Sequence, residues 1–313
     1  MSNFALIGAA GYIAPRHLQA IQATGHNLSV ALDRSDSVGI LDHYFPQASF
    51  FTEFERFDRH VEKLRRGDPG KRIDYVSICS PNYLHDAHIR FALRVQADAI
   101  CEKPLVLEPW NVDALAELEQ ESGRRIHSIL QLRLHPSVIA LREQVMADPG
   151  RIHDIDLAYI TSRGKWYMIS WKGNDQKSGG VAMNIGVHFF DMLLWIFGPV
   201  VRSTVHLREP TRASGLLELR QARVRWFLSV NAEDRPEDVK AAGKTTFRAL
   251  TLNGKEFEFS EGFTGLHTLS YERILAGNGF GTADVRPSIE LVHDIRNAPA
   301  AGLAGDFHPL ARR

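Results

Sequence analysis

Phe4-Ala5-Leu6-Ile7-Gly8-Ala9-Ala10-Gly11-Tyr12-Ile13-Ala14-Pro15 decides how this chain is read. A short apolar run ends at a glycine, small residues follow, and an amphipathic segment begins. That is a strand, a tight turn and a helix start. Small residues there let the backbone approach a pyrophosphate at a helix N-terminus. The match to G-x-G-x-x-G is partial: Gly8 is in register, Ala10 holds the second position, Ile13 the third, and Gly11 lies between. Asp33 closes the next apolar run, Leu28–Leu32, roughly 20 residues after the turn, where an acid bonds an adenosine ribose. A carboxylate there favours NAD over NADP because it repels a 2′-phosphate. Arg34 beside it pulls the other way.

Outward from this stretch, strands and helices alternate. Leu18 and Ile21 carry a helix that Gly25 ends. Phe54, Phe57, Val61 and Leu64 mark another, closed by Gly67-Asp68-Pro69-Gly70. Tyr75–Cys79 and Ala97–Cys101 read as strands, with a helix over His85–Val95 between them and one on Val112, Leu115 and Leu118 after. Ile126–Leu132 is strand-like, and Val138, Leu141 and Val145 mark a further helix. Such alternation predicts a doubly wound parallel sheet with helices on both faces.

The texture changes after Asp148-Pro149-Gly150. Ile152–Ile160 alternates as a strand, and Gly180–Phe197 is a long apolar helix stopped by Gly198-Pro199. Strand-like runs then follow without helices between them, with the hairpin turn Asn253-Gly254 before the last, Glu256–Phe259. A helix over Pro287–Arg296 closes the fold, and the Ala/Gly-rich tail after Pro299 is expected to be loosely held. The fold class is therefore α/β: a Rossmann domain over 1–148, then an α+β domain over 149–313 with a large, mostly antiparallel, open-faced sheet.

Composition narrows the function. The 313 residues hold 37 Lys+Arg against 37 Asp+Glu, so no global basic field is available for a nucleic acid. Two cysteines make no disulfide scaffold. Both end apolar runs, as buried thiols of a reducing compartment do. No Lys or Arg precedes the first apolar stretch, so no signal peptide is expected. No apolar run long enough for a membrane span is evident. These features predict a cytoplasmic protein.

The chemistry-bearing residues sit at predicted strand ends and on one helix. Ser80-Pro81-Asn82 follows the third clear strand, where open α/β sheets bind ligands; an ordinary turn is the plainer reading. Cys101-Glu102-Lys103-Pro104 closes the next strand, and a Lys there can polarise a hydroxyl beside a nicotinamide. The plainer reading is a Glu102–Lys103 surface pair. On the apolar helix, Asn184 and His188 are four apart and Asp191 follows three later, a polar stripe that wants partners or a ligand. Imidazole suits a general base near neutral pH. The loop Arg163–Lys177 carries Arg163, Lys165, Lys172 and Lys177 against one acid, Asp175, with Trp166, Tyr167 and Trp171 among them. Cations suit a pyrophosphate and a carboxylate, and aromatic faces stack on a base or sugar. His85 and His88 form a chance-level pair without the further ligands that zinc needs, so no metal is expected.

In order along the chain, the Gly turn, Ser80-Pro81-Asn82 with His85, Glu102-Lys103-Pro104, Arg133-Leu134-His135-Pro136, and Asn184 with His188 and Asp191 resemble the Gfo/Idh/MocA oxidoreductase family. The resemblance implies that Lys103 and His188 flank the carbon that loses hydride. It implies NAD contacts from Gly8, Ala10, Gly11, Tyr12, Ile13, Asp33, Arg34, Ser80, Pro81, Asn82, His85, Glu102, Lys103 and Gln131. Many members have Asp where this chain has Asn184. A buried His–Asp pair is thus in doubt, and Asn184 is expected to orient His188 or to bond the sugar. The stretches Gly8–His17 and Arg163–Gly173 are similar to the WlbA/WbpB subgroup of that family. This implies oxidation of UDP-N-acetylglucosaminuronic acid at C3′, in nucleotide-sugar synthesis for surface polysaccharide such as O-antigen. Substrate contacts would come from Lys103, Arg133, Arg163, Lys165, Trp166, Tyr167, Trp171, Lys172, Asn184 and His188. The resemblance further implies NADH reoxidation by a 2-oxo acid such as 2-oxoglutarate, and a homo-oligomer, dimer or tetramer. Two rival readings stand beside it: another sugar or polyol dehydrogenase of the family, and a catalytically idle NAD-binding sensor.

Overall fold

The computed structural model describes residues 1–259, 263 and 265–312. The chain divides into two compact units: Met1–Gln131 with Thr264–Arg286, and Leu132–Phe263 with Pro287–Arg313.

The first unit runs β1 (Asn3–Ile7), α1 (Ala14–Ala23), β2 (Asn27–Leu32), α2 (Ile40–Tyr44), β3 (Ser49–Phe51), α3 (Phe54–Arg66), β4 (Tyr75–Ile78), α4 (His85–Arg94), β5 (Asp98–Cys101), α5 (Pro109–Ser122) and β6 (Ile126–Ser128). The six strands are all parallel, in the order β3-β2-β1-β4-β5-β6. Phe4, Ala5 and Leu6 of the central β1 are fully buried, as a parallel strand covered on both faces requires. Strand order reverses between β1 and β4, so the crevice where such sheets bind nucleotides opens beside Gly8.

The second unit runs α6 (Pro136–Ala147), β7 (His153–Thr161), α7 (Trp166–Ile169), α8 (Asp175–Ser178), a π-helical stretch (Ala182–Gly186), α9 (Val187–Phe197), β8 (Val200–Arg208), β9 (Arg212–Leu219), β10 (Ala222–Ser229), α10 (Glu237–Ala241), β11 (Thr246–Leu252) and β12 (Lys255–Glu256). Its sheet order is β12-β11-β7-β10-β9-β8. Every neighbouring pair is antiparallel except β7 with β10. One face packs on α9: Phe190 meets Trp226 edge-on at 5.2 Å. Two glycines permit this closeness. A Cβ on Gly186 would stand 2.5 Å from Leu228 Cδ1, and one on Gly215 2.6 Å from the Trp226 ring. Asn253 and Gly254 have φ of 51° and 78°, the mirror-image turn that suits a tight hairpin.

Two helices then close the chain, α11 (Leu266–Leu275) and α12 (Thr282–Asn297).

Several expectations meet differences here. The unit division does not fall at residue 148. α6 belongs with the second unit because it packs on α9. α11 returns to the first unit, where Tyr271 and Ile274 share a core with Leu18 and Ile21 of α1. The short β3 and α11 had no clear periodic signal in the sequence. The last strand ends at Glu256, and the final helix starts five residues earlier than expected, at Thr282. The tail is held rather than loose. Phe307, Leu310 and Ala311 pack on Ile160, Phe227 and Phe247, on the sheet face away from α9. Asp306 pairs with Arg223 and Arg225. The stretch Asp175–Phe197 is long and apolar enough to cross a membrane by length and composition, against expectation. However, 72% of its apolar window is buried inside the protein, as for the central helix of a packed domain.

Candidate functional site

Gly8 has φ of +94°, and a Cβ there would stand 2.6 Å from the carbonyl carbon of Cys79. Only glycine fits on both counts. Its N–H and that of Ala9 donate to Leu32 O, which pins the turn between β2 and β4. Asp33 Oδ2 accepts from the Ala10 N–H at 2.9 Å, and its Oδ1 from the Ser35 N–H at 2.9 Å. The expected ribose acid therefore also braces the turn, and each oxygen keeps a lone pair for a hydroxyl. Tyr12 is 97% exposed and Arg34 is exposed. Ile13 instead packs its side chain on the core behind the turn. Gln131 Oε1 is buried with no hydrogen-bond partner among the described residues. A Gly/Ala turn at the switch point, a helix starting at Ala14, an acid closing β2 and this orphaned oxygen together fit a bound dinucleotide.

At the end of β4, Ser80 Oγ lies 2.8 Å from His88 Nδ1, and Asn82 is buried. His85 ties this strand end to the next. Its Nδ1 lies 2.7 Å from Pro104 O and its Nε2 2.8 Å from Ser80 O. Burial lowers the His85 pKa, and the two carbonyls oppose that. Both ring nitrogens of His85 thus face backbone carbonyls of the loops it joins. Burial also lowers His88, to about 4.

Glu102, expected as a cofactor contact, has buried partners of its own. It is buried, and Oε1 accepts from His17 Nε2 at 3.0 Å and His267 Nε2 at 2.9 Å. Oε2 accepts from the Lys103 N–H at 3.2 Å. His17 Nδ1 in turn lies 2.7 Å from Tyr271 Oη, which lies 2.6 Å from Ser77 Oγ. Burial raises the Glu102 pKa, but the two imidazole donors outweigh it and hold the group well below the ordinary carboxylate range. Burial lowers His17. An ionised Glu102 facing a neutral His17 gives one consistent proton direction, from Ser77 through Tyr271 and His17 to Glu102. The donor atoms of His17, Glu102 and His267 lie within 4.8 Å of one another, a spacing that can also hold a cation. Among the described residues the grouping with that geometry is this one, not His85 with His88. His267, Tyr271 and Ser77 were not singled out from the sequence. Lys103 is half-buried, and its bond to Pro104 is cis.

In the second unit, Asn184 lies in the π-helical stretch, a feature frequent at functional sites, and His188 and Asp191 follow on α9. Asn184 donates from Nδ2 to Tyr167 Oη at 2.7 Å. Tyr167 is buried, and burial raises its pKa while Asn184 opposes. Asn184 thus anchors the aromatic loop to the helix. His188 lies against Phe189 at 4.1 Å and edge-on to Tyr159 at 6.0 Å. Asp191 makes a buried two-pronged pair with Arg133, at 2.9 and 2.7 Å. Arg133 therefore has a structural duty that its expected substrate role did not include. In the loop, Lys172 Nζ lies 5.4 Å from the Trp166 ring and 5.2 Å from the Trp171 ring. Trp166 is 52% exposed, and Arg163 and Lys165 are exposed. The loop thus offers cations and aromatic faces outward.

Comparison with known proteins follows the same division. Residues 2–129 match the Gfo/Idh/MocA profile described as oxidoreductase family, NAD-binding Rossmann fold. Residues 148–237 match the profile of that family's C-terminal alpha/beta domain. Among curated relatives, D-glucoside 3-dehydrogenase of Escherichia coli is 27% identical over 42% of this chain and 38% of its own. Inositol 2-dehydrogenase of Rhizobium meliloti is 30% identical over 40% and 37%. The chain thus spans little more than a third of the length of such relatives. A WlbA (WbpB) dehydrogenase from Thermus thermophilus, solved with NAD and UDP-GlcNAcA, is similar over 99% of both chains, with 49% identity and a TM-score of 0.94. The same dehydrogenase has been solved with NAD and alpha-ketoglutarate. The WlbA dehydrogenase from Bordetella pertussis, 18% identical over 97% of this chain and 98% of its own, shares the fold with a TM-score of 0.76. Two tandem profiles and a half-identical relative matched over nearly its whole length agree with the Gly turn, the parallel sheet and the mixed sheet: the chain belongs to the Gfo/Idh/MocA oxidoreductase family, and its first unit is an NAD-binding Rossmann fold.

Proposed function

We propose that this protein oxidises the C3′ hydroxyl of UDP-N-acetylglucosaminuronic acid to the ketone with NAD. The observation that carries the reading is the 49% identity over 99% of both chains to a dehydrogenase solved with NAD and UDP-GlcNAcA. The outward cations and indoles of the Arg163–Lys177 loop support it, because they suit an anionic nucleotide sugar. Bound NAD supplies the hydride acceptor. Lys103 and His188 are assigned to the hydroxyl proton. An imidazole, with an ordinary pKa near 6.5, accepts it at neutral pH without help, whereas a lysine needs its pKa lowered. Asn184 holds Tyr167, and through it the loop, in place for the sugar.

The 3-keto product is a substrate for amination, which sets the reaction within nucleotide-sugar synthesis for surface polysaccharide such as O-antigen. Reoxidation of NADH by 2-oxoglutarate is part of the same reading, supported by the relative solved with alpha-ketoglutarate. We assign the enzyme to the cytoplasm, where the two free, buried cysteines stay reduced. Its working form is read as a homodimer or homotetramer.

The test is NADH formation by the purified protein from NAD and UDP-N-acetylglucosaminuronic acid, repeated with 2-oxoglutarate. Turnover that survives in both Lys103→Ala and His188→Ala would remove their assignment. A protein that binds NAD but oxidises no sugar would favour the sensor reading.

A further inference from the structure

Arg248 lies on β11, directly across from Tyr159 of β7. Four aromatic rings surround its guanidinium carbon: Phe263 at 4.4 Å, Tyr159 at 5.6 Å, Phe259 at 5.7 Å and Phe189 at 5.9 Å. Its Nε is buried and has no hydrogen-bond partner among the described residues. Among the described residues no carboxylate pairs with it, whereas Arg133, Arg212 and Arg225 of the same unit each have one. Rings attract the faces of a guanidinium but leave its in-plane N–H donors unserved. A buried donor lacking an acceptor is costly unless a ligand completes it. The residue keeps partial exposure, so one side remains open.

Its position has a further consequence. Tyr159 and Phe189 are the same two rings that His188 touches. Arg248 and His188 therefore flank a shared aromatic wall within one unit.

We infer that Arg248 is a carboxylate-binding residue beside His188, and that it selects for acidic ligands. The planar fork matches a carboxylate with two parallel hydrogen bonds, and the rings fix its plane. The inference rests on the proposed reaction for its two candidate ligands, the sugar acid and the 2-oxo acid, which share this chemistry.

Calorimetry on the NAD-loaded protein tests it with three probes: UDP-N-acetylglucosaminuronic acid, 2-oxoglutarate, and UDP-N-acetylglucosamine, which lacks the carboxylate. In Arg248→Met, at least one acidic probe should bind about 10- to 100-fold more weakly, the range for one charged hydrogen-bonded pair. The probe without the carboxylate should change less than about twofold, well under the tenfold step that 1.4 kcal/mol represents. Loss confined to the sugar acid assigns the site to the substrate; loss confined to 2-oxoglutarate assigns it to the second acid. Arg248→Lys keeps the charge without the fork and should fall between, which also covers a Met variant that does not fold. Unchanged binding of both acids, an equal loss for the probe without the carboxylate, or a wild-type protein that binds neither acid overturns the inference. Failure of the proposed reaction reads separately, as acid binding by the wild-type protein without NADH formation.

Discussion

His17 and Glu102 stand 85 positions apart in sequence, yet His17 Nε2 donates to Glu102 Oε1 across 3.0 Å in a fully buried setting. His267 supplies the second donor, and the Lys103 N–H holds the other oxygen. The backbone of the expected proton-handling lysine is therefore fixed by a carboxylate whose own partners come from α1 and α11. Glu102→Ala removes the acceptor and leaves two buried imidazole donors unpaired, each costing about 1–3 kcal/mol. The melting temperature should drop by several degrees. Glu102→Gln keeps an acceptor oxygen for the imidazoles and should recover part of the loss. Thermal unfolding of the three proteins side by side checks this.

Gly8→Ala places a methyl group against the Cys79 carbonyl at a φ that side chains rarely adopt. Strain of this kind costs about 1–3 kcal/mol, and relief requires the turn to shift. NAD affinity should fall at least about tenfold, the equivalent of 1.4 kcal/mol. Titration of NAD by calorimetry reads it. Affinity unchanged within error would separate the turn from cofactor binding.

Arg163→Ala combined with Lys172→Ala removes two of the loop's four cations. Lys172 also loses its place between Trp166 and Trp171. KM for a nucleotide sugar acid should rise about 10-fold or more, since hydrogen bonds to charged groups contribute about 1.5–3 kcal/mol each. A small polyol would notice little. Steady-state kinetics of the double variant with both substrate types therefore distinguishes the nucleotide-sugar reading from a polyol dehydrogenase, and unchanged turnover of the sugar nucleotide sinks the former.

Acid should destabilise this protein through buried imidazoles. Burial lowers His88 and His308 from 6.5 to about 4. The unfolded chain binds these protons first, so each contribution is complete above pH 6.5 and is lost as pH falls toward about 4. Glu102, held below its ordinary value, loses its contribution at still lower pH. Melting temperature followed from pH 7.5 downward should decline through this window, and His88→Gln should flatten the slope. A flat profile down to pH 4.5 would contradict the burial of these rings.

Legibility in the sequence followed the range of the interactions. Gly8, Asp33 and the strand ends were readable because turn chemistry and apolar periodicity are local. The hairpin at Asn253-Gly254 was readable for the same reason. Arg133 and Asp191 were each noticed, but their pairing spans 58 positions and leaves no local trace. Asn184 looked like a partner for His188 because both share a helix. The π-helical stretch and Tyr167 give it another partner, set by packing against a loop. Arg248 escaped notice because an aromatic enclosure is assembled from β7, α9 and the chain after β12, and no spacing rule joins them.

The return of α11 to the first unit bears on how the protein is made. A ribosome delivers residues 1–131 long before His267 and Tyr271 emerge, so the nascent Rossmann sheet waits with the apolar flank of Leu18 and Ile21 uncovered and Glu102 short of a donor. The first unit can therefore complete its core only after residues 264–286 have left the ribosome, later than in the domain-by-domain course common to multidomain chains. A gene fragment cut at residue 148 should accordingly yield insoluble material, and rescue should require residues 264–286 supplied in the same chain or as a separate peptide.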